Sequence, residues 1–156
     1  MAYQKLQGYS ALRVVTSDTI NIPTPTTLGV SGTNDSTTAN RLVDSTKNFN
    51  ALQIQVGSIV YNTTDGSAAL VTSIPSNTSL ALSANIFTAT SKDYAVYAPN
   101  SAPCVLYIGG AGNLRVLTAG GDDVTLNGVL AGSYVPIQVQ RVFASGTSAT
   151  NIIAIW

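Results

Sequence analysis

Residues 56–74, VGSIVYNTTDGSAALVTSI, decide the predicted fold class of this chain. Residues 56–62 and 68–74 are rich in aliphatic and β-branched side chains, which favour strands. The tetrapeptide Thr63-Thr64-Asp65-Gly66 lies between them, and its glycine supplies the positive φ that tight turns often need. The stretch therefore predicts two strands joined by a short turn.

The same pattern of short strands and turns continues on both sides of this stretch. Further strands are predicted at 12–16, 19–22, 41–45, 80–82, 93–97, 105–108, 114–118, 124–126 and 134–143. Residues 24–40 are rich in Thr, Ser, Gly and Asn and predict a linker or long surface loop. Residues 47–52 predict a single helical turn that buries Phe49. No helix of three or more turns is indicated, so the chain is predicted to be all-β.

Composition excludes several classes of function. The 156 residues include seven Lys and Arg, seven Asp, and no His or Glu, so the net charge is zero. Without histidine, no catalytic triad and no histidine-based zinc site can form. Without net positive charge, the usual electrostatic basis of nucleic-acid binding is missing. Weak charge repulsion between copies also favours a protein that works inside an assembly.

Targeting and redox signals are few. The N-terminus lacks the basic and apolar regions of a secretory signal, and no apolar run is long enough for a transmembrane helix. Cys104 is the single cysteine and lies in an apolar run, so we expect a buried, unreactive thiol.

Two parts of the chain resemble the head spike base protein family of tailed phages and gene transfer agents. The first is residues 12–22, which include VVTSDTIN. The second is residues 104–156, where LYIGGAGNLRV leads to the closing segment RVFASGTSATNIIA. Ser145 and Ser148 stand where that family usually has threonine, and Gly110 adds a second glycine to the hairpin motif.

The middle of the chain resembles a different unit. LVDSTKNF at 42–49, followed by VGSIVYNTTDG at 56–66, is similar to a small β module of phage and cyanophage virion structural proteins. The two resemblances together imply a small β-barrel or sandwich domain at 1–33 and 99–156 that anchors the protein. A small β-barrel-like module at about 41–98, within the inserted segment 34–98, would project from it. Proline pairs at 23/25 and 99/103 mark the crossing points.

The resemblance implies a non-enzymatic virion protein on the capsid exterior, made in the cytoplasm of a bacterial host. Its expected role is a decoration or cement protein, or a head spike base. Its expected partners are the major capsid protein, its own copies as a trimer or pentamer, or a head fibre, with no cofactor, nucleic acid or membrane. A tail, baseplate or fibre component and a carbohydrate-binding module with Tyr61, Tyr94 and Tyr97 as its platform are the alternatives. A third alternative is a hydrolase whose activity depends on an aspartate.

Acidic residues are the candidates for metal binding. Asp122 and Asp123 follow Gly120-Gly121, where carboxylates and backbone carbonyls could together hold Ca²⁺. Gly-Asp is equally typical of a hairpin turn, which we favour, so no metal site is predicted. Asp18, Asp44 and Asp65 suit Asx-turns and strand ends.

Two loops could be mistaken for catalytic motifs. Gly109-Gly110-Ala111-Gly112 follows a strand, as a phosphate-binding loop does, but the next segment alternates like a strand and predicts a tight hairpin. Ser145-Gly146-Thr147-Ser148 has no activating base nearby in sequence and predicts a turn whose hydroxyls cap backbone groups. Pro136 suggests that its strand lies at a sheet edge.

Aromatic residues near the chain ends are the candidate interface anchors. Tyr3, Tyr9 and Trp156 each offer large apolar area with few rotatable bonds. The alternative for all three is packing against the protein's own core. Because the last six residues are almost all apolar, we expect this end to be held in a sheet or by a partner.

Overall fold

The computed structural model describes residues 8–156, which form antiparallel β-structure and confirm the predicted all-β class. The strands are β1 (Ala11–Arg13), β2 (Leu28–Thr33), β3 (Arg41–Val43), β4 (Ile59–Asn62), β5 (Ser67–Ser76), β6 (Ser79–Leu82), β7 (Asp93–Tyr97), β8 (Cys104–Gly110), β9 (Gly112–Thr118), β10 (Asp123–Val129), β11 (Ser133–Val142) and β12 (Thr150–Ile155). A single 3₁₀ turn, Pro25–Thr27, is the helical element of the described chain.

The chain divides into two compact units. One ends at Pro25 and resumes at Ser101–Trp156, and the other is Thr26–Asn100. The predicted boundaries were 1–33 with 99–156, and 34–98. The first crossing therefore lies earlier than expected, because β2 pairs with β7 inside the second unit, with Val30 opposite Val96.

The prediction of a loop across residues 24–40 is wrong for β2. The strand reads LGVSGT, and Val30 is its buried apolar residue. Gly32 allows close packing, since a Cβ at this position would lie 2.6 Å from Asp44 Oδ2 and 2.8 Å from the Tyr94 hydroxyl. Pairing with β7, rather than hydrophobic content, makes this segment a strand.

The first unit is one six-stranded sheet with the order β1-β12-β8-β11-β9-β10. Alternate residues of its strands point to a common core, and those of β8 are Cys104, Leu106 and Ile108. The same core holds Leu114 and Val116 of β9, Val135, Val139 and Val142 of β11, and Ile152 and Ala154 of β12. The apolar C-terminal strand thus lies inside the sheet, between β1 and β8.

The glycine-rich segment 109–113 is not the predicted tight hairpin. β8 and β9 follow each other directly but do not pair, and both pair with β11. Val139 lies opposite Cys104 on one side and opposite Thr118 on the other, so the chain bends between the two strands. Glycine is needed for close approach: a Cβ at Gly112 would lie 2.5 Å from the Ala149 nitrogen.

Two further predictions in this unit are corrected. Pro136 does not mark an edge, because β11 lies between β8 and β9; the proline falls in the register shift between Val135 and Val139. Residues 19–22 do not form a strand, although Ile22 is buried and its N–H donates to the Gln140 carbonyl at 2.8 Å. The Ser17 N–H also donates to the Val142 carbonyl, at 2.9 Å, so the segment is held beside β11 by single backbone bonds and not by a continuous ladder.

The second unit is a six-stranded sheet with the order β2-β7-β4-β5-β6-β3. Its core includes Phe49, fully buried as predicted in a short turn where Leu52 N–H bonds to the Asn48 carbonyl at 3.0 Å. The two edge strands end next to each other. Asp35, just after β2, donates its N–H to the Val43 carbonyl of β3 at 3.0 Å, and the sheet curls to bring its edges together.

Candidate interaction surface

On four strands of the first sheet, β1, β12, β8 and β11, the outer face carries apolar side chains where water-facing residues are usual. One cross-strand row runs Arg13, Ile153, Tyr107 and Tyr134 across β1, β12, β8 and β11. A second row places Ala11, Ile155 and Val105 opposite one another. We call these two sets the outer apolar rows.

Register explains why the outer apolar rows point away from the core. Leu12, Ala154, Leu106 and Val135 form the row between them. Ala154, Leu106 and Val135 belong to the core, with Ala154 and Leu106 fully buried, and Leu12 at the end of the row is half-buried. An antiparallel sheet with one solvated face normally alternates apolar and polar residues. Here both alternating sets are mostly apolar, which indicates that the outer face is suited to contact another protein surface.

An aromatic pair forms the most exposed part of this face. Tyr134 is 66% exposed, and its ring lies 5.3 Å from that of Tyr107, centroid to centroid, at an interplanar angle of 60°. Ile137, on the same strand, is also exposed. Sequence analysis did not single out these residues, although the run Ile152-Ile153-Ala154-Ile155 signals a strand that is apolar on both faces.

The three predicted interface anchors fall in different environments. Tyr3 lies outside the described residues. Tyr9 is 79% exposed, while its backbone N–H donates to the Trp156 carbonyl at 2.7 Å. Trp156 packs against the core of its own unit, and its indole N–H donates to the Ala102 carbonyl at 2.9 Å. Intramolecular packing therefore accounts for Trp156.

The two candidate metal ligands are engaged in different hydrogen bonds. Asp123 receives two bonds from the Arg115 guanidinium, at 2.9 and 2.6 Å, and this arginine holds the pKa of Asp123 below its usual 3.8. Asp122 accepts a hydrogen bond from the Thr118 hydroxyl at 3.2 Å. Among residues 8–156, no group of three or more side chains of the metal-binding types comes together.

Arg115 also joins three segments of the first unit. Its guanidinium lies 4.4 Å from the centroid of the Phe143 ring and donates to the Ser145 hydroxyl at 3.0 Å. Ser145 in turn donates its N–H and hydroxyl to Asp18 at 2.9 and 2.8 Å, and these bonds lower the pKa of Asp18. The arginine is thus part of a structural network rather than a free cation.

The loop at 145–148 is a turn, and its hydroxyls bond to the backbone of β9. Thr147 Oγ1 accepts the Arg115 N–H at 3.0 Å, and Ser148 Oγ accepts the Asn113 N–H at 2.9 Å. Gly146 has a φ of 87°, a conformation that favours glycine. These bonds give the serines and threonine a capping role.

The predicted carbohydrate platform does not exist. Tyr61, Tyr94 and Tyr97 are 3%, 2% and 6% exposed, because β4 and β7 lie inside the second sheet. Tyr94 donates its hydroxyl to Asp44 Oδ2 at 2.7 Å, and burial is the main cause that raises the pKa of Tyr94. Buried rings of this kind cannot stack on a sugar.

Asp44 and Asp65 have the structural partners expected of strand-end carboxylates. Asp44 is buried and accepts hydrogen bonds from the Thr46 N–H and hydroxyl at 2.9 and 2.6 Å. Asp65 accepts from Lys92 Nζ at 2.8 Å and from Asn62 at 2.9 Å, bonds that lower its pKa.

Cys104 is buried in the first core, and burial raises the pKa of its thiol to about 12. At neutral pH the sulfur is therefore a thiol and not a nucleophilic thiolate.

Comparison with known proteins gives no relative. No protein-family model matches the chain, and no curated protein or solved structure is significantly similar to it. In the part of the chain that the structure describes, no helix is long and apolar enough to cross a membrane.

Proposed function

We propose that this chain is a structural protein of a tailed-phage virion. It would lie on the capsid exterior as a decoration, cement or head-spike-base protein that binds the capsid, its own copies, or both. The observation that carries the proposal is the outer apolar rows. On β1, β12, β8 and β11 apolar side chains occur on the outer face as well as toward the core; most are half-buried and Tyr134 is exposed, and such a surface is suited to burial against a partner. The motif resemblance at residues 12–22 and 104–156 supplies the virion context.

The low charge of the chain means that shape and apolar contact, and not electrostatic attraction, would provide the affinity for a partner. Only 9% of the residues are charged and the net charge is zero, so copies repel one another weakly. The partners we propose are the major capsid protein and the chain itself, with a head fibre as a further candidate. The inserted unit would be the part that projects from the particle.

The chemistry of the carboxylates argues against a catalytic role. All seven acidic residues are aspartates, and each accepts a hydrogen bond from a neighbour in its own unit; they are Asp18, Asp35, Asp44, Asp65, Asp93, Asp122 and Asp123. A general base works best when its pKa lies near the working pH, whereas hydrogen bonds hold the pKa values of Asp18, Asp35, Asp65 and Asp123 below the usual 3.8. We therefore propose a role without turnover.

Immunogold electron microscopy of phage particles from cells that express the chain tests this proposal. Label on the heads supports a capsid protein. Label confined to the tail or baseplate would overturn the capsid assignment in favour of a tail component. Particles that carry no label, from lysates that contain the chain, would refute a virion role altogether.

A matched pair of variants tests the outer apolar rows in the same particles. Tyr134→Ser removes the most exposed ring of the rows, and we expect fewer copies per particle by quantitative mass spectrometry. Gln138→Ser changes an exposed polar residue of the same strand and should leave the copy number unchanged. Equal copy numbers for the two variants would contradict a role for this face.

A further inference from the structure

The first sheet has two edges that no described strand covers. In the order β1-β12-β8-β11-β9-β10, the outer side of β1 and the outer side of β10 have no partner strand among residues 8–156. The open side of an edge strand presents a row of N–H and C=O groups, to which another chain can bond.

The second unit differs in this respect. Its edge strands are tied together by the bond from Asp35 N–H to the Val43 carbonyl and by the 2.7 Å bond from Ser45 N–H to Asp35 Oδ2. Backbone groups at those ends are thus used within the unit. Pairing of sheet edges between copies therefore concerns the first unit.

Strand direction makes the two open edges of the first sheet complementary. All neighbours in the sheet are antiparallel, so β1 and β10, the first and sixth strands, run in opposite directions. If a second copy continues the sheet, its β1 lies antiparallel to β10. The C-terminal end of β1 then lies beside the N-terminal end of β10.

Backbone hydrogen bonding shows which residues are available at each edge. Trp156 N–H bonds to the Ser10 carbonyl and Val14 N–H bonds to the Ile152 carbonyl, so the even-numbered residues of β1 face β12. Because antiparallel pairs alternate, Ala11 and Arg13 direct their N–H and C=O groups to the open side. By the same argument, the 2.9 Å bond from Thr118 N–H to the Asp122 carbonyl leaves Asp123 and Thr125 facing outward on β10.

One antiparallel register joins these four residues. It places Arg13 opposite Asp123 and Ala11 opposite Thr125, with backbone groups directed at each other in both pairs. The side chains also match: Arg13 is on the outer face, because Leu12 lies in the inward row with Ala154, and Asp123 is on the outer face, because Val124 pairs with buried Val116.

Charge favours the same register. Arg13 is exposed and forms no salt bridge with a described residue, and Asp123 keeps 46% of its side chain exposed while bound to Arg115. Opposite charges on directly opposed residues stabilise a strand pair, and like charges destabilise it. A shift by two residues would place Arg13 opposite Thr125 and lose this pairing.

We propose that β1 of one copy pairs antiparallel with β10 of a second copy in this register, head to tail. Such a contact is heterologous, and repetition of it closes into a ring when the rotation per contact divides a full turn. Tyr9, exposed next to β1, would lie near Asn127 of the neighbouring copy. The inference rests on the proposed assembly role and names the chain itself as a partner.

The molar mass of the purified full-length chain, measured by light scattering across a dilution series, tests the contact. We expect a multiple of 16.1 kDa for the wild type and the monomer mass for Thr125→Pro. The proline removes an outward N–H, a change that edge strands tolerate, so the fold should survive. Thr125→Ala keeps the N–H and is the matched control that should stay oligomeric.

A disulfide trap tests the register independently. In the proposed pairing, the Cα atoms of residues 11 and 125 are about 5.5 Å apart, which suits a disulfide. Oxidised Ala11→Cys/Thr125→Cys should therefore give a ladder of linked chains on a non-reducing gel. Ala11→Cys/Asn127→Cys, shifted by two residues, should give far less.

The results of these experiments distinguish a failure of the proposed edge contact from a failure of the proposed virion role. A wild-type chain that is monomeric at every concentration, or an oligomer unaffected by Thr125→Pro, overturns the edge contact. Head labelling of virions by a monomeric chain would still leave a capsid-binding protein. A ring in solution that is absent from virions would support the contact and refute the virion role.

Discussion

Replacing Tyr94 with phenylalanine measures what one buried hydroxyl contributes to the second unit. Tyr94 and Asp44 are both 2% exposed, and the hydroxyl donates to Asp44 Oδ2 at 2.7 Å. The other carboxylate oxygen is bound by the Thr46 N–H and hydroxyl. The variant therefore leaves a buried Oδ2 without its tyrosine donor while the rest of the carboxylate cage stays in place.

The expected loss follows from the kind of bond removed. A hydrogen bond to a charged group contributes about 1.5–3 kcal/mol to stability, and an unsatisfied buried acceptor costs a similar amount. The ring of phenylalanine keeps the edge contacts of Tyr94 with Phe49 and Phe87, whose centroids lie 6.5 and 6.4 Å away. We therefore expect the free energy of unfolding to fall by about 2 kcal/mol.

Urea unfolding followed by far-ultraviolet circular dichroism measures this loss. Tyr97→Phe is the matched control, because Tyr97 is a buried tyrosine of the same strand and burial is the one cause that raises its pKa. The control should lose much less stability. If both variants lose the same amount, the bond from Tyr94 to Asp44 is not a significant source of stability.

Two further predictions concern acid and the glycine bend. Stability should change little between about pH 5 and 8, since the chain has no histidine, and should fall in acid. The pKa values of four aspartates are lower in the folded chain than the usual 3.8, so their contribution is present above that pH and is lost as pH falls through the folded values; these are Asp18, Asp35, Asp65 and Asp123. Thermal melts from pH 7 to 2 test this, and a melting temperature that stays constant to pH 2 would contradict it. Gly112→Ala should destabilise the chain by about 1–3 kcal/mol because its Cβ would meet the backbone of Ser148 and Ala149, whereas Gly120→Ala meets a flexible carboxylate and should cost less; equal losses in urea unfolding would argue against close approach.

Local composition predicted strands well where a short run is rich in apolar and aromatic residues. Residues 93–97 read DYAVY, and β7 has these bounds, although Tyr94 to Tyr97 are all buried, so the two faces do not alternate in burial. β2 was missed because LGVSGT lacks large apolar residues and becomes a strand through pairing with β7, which is distant in sequence. A prediction made from a short stretch of sequence cannot include pairing between strands that are distant in sequence.

Glycine was the residue type most easily misread. At Gly66 and Gly146 it serves positive φ, as the turns at those positions predicted. At Gly110 and Gly112 it makes room for the chain before and at the start of β12, so the same residue type marks a bend in the path and not a hairpin. The sequence shows where glycine occurs. The neighbouring strand shows whether glycine is needed there for a positive φ or for close approach of another segment.

The sequence also could not show which aromatic side chains are exposed at the candidate interaction surface. Tyr94 and Tyr97 resemble an exposed platform in sequence, yet β7 lies between β2 and β4 and all of Tyr94–Tyr97 is buried. Tyr107 and Tyr134 are distant in sequence, and they meet because of the register between β8 and β11. Whether a strand is central or peripheral decides which aromatic side chains can act as a surface.

The distribution of charge and of open backbone groups bears on how the proposed association would occur. Its net charge is zero, and two of its aspartates, Asp65 and Asp123, already form salt bridges within their own unit, so long-range attraction to a partner is weak. The outer apolar rows and the open backbone edges of β1 and β10 belong to the first unit, while the second unit exposes the apolar side chains of Leu28, Leu52 and Val56. The second unit has tied its edge strands together. If the chain associates as proposed, the backbone contacts between copies would therefore come from the first unit, whose edges remain open.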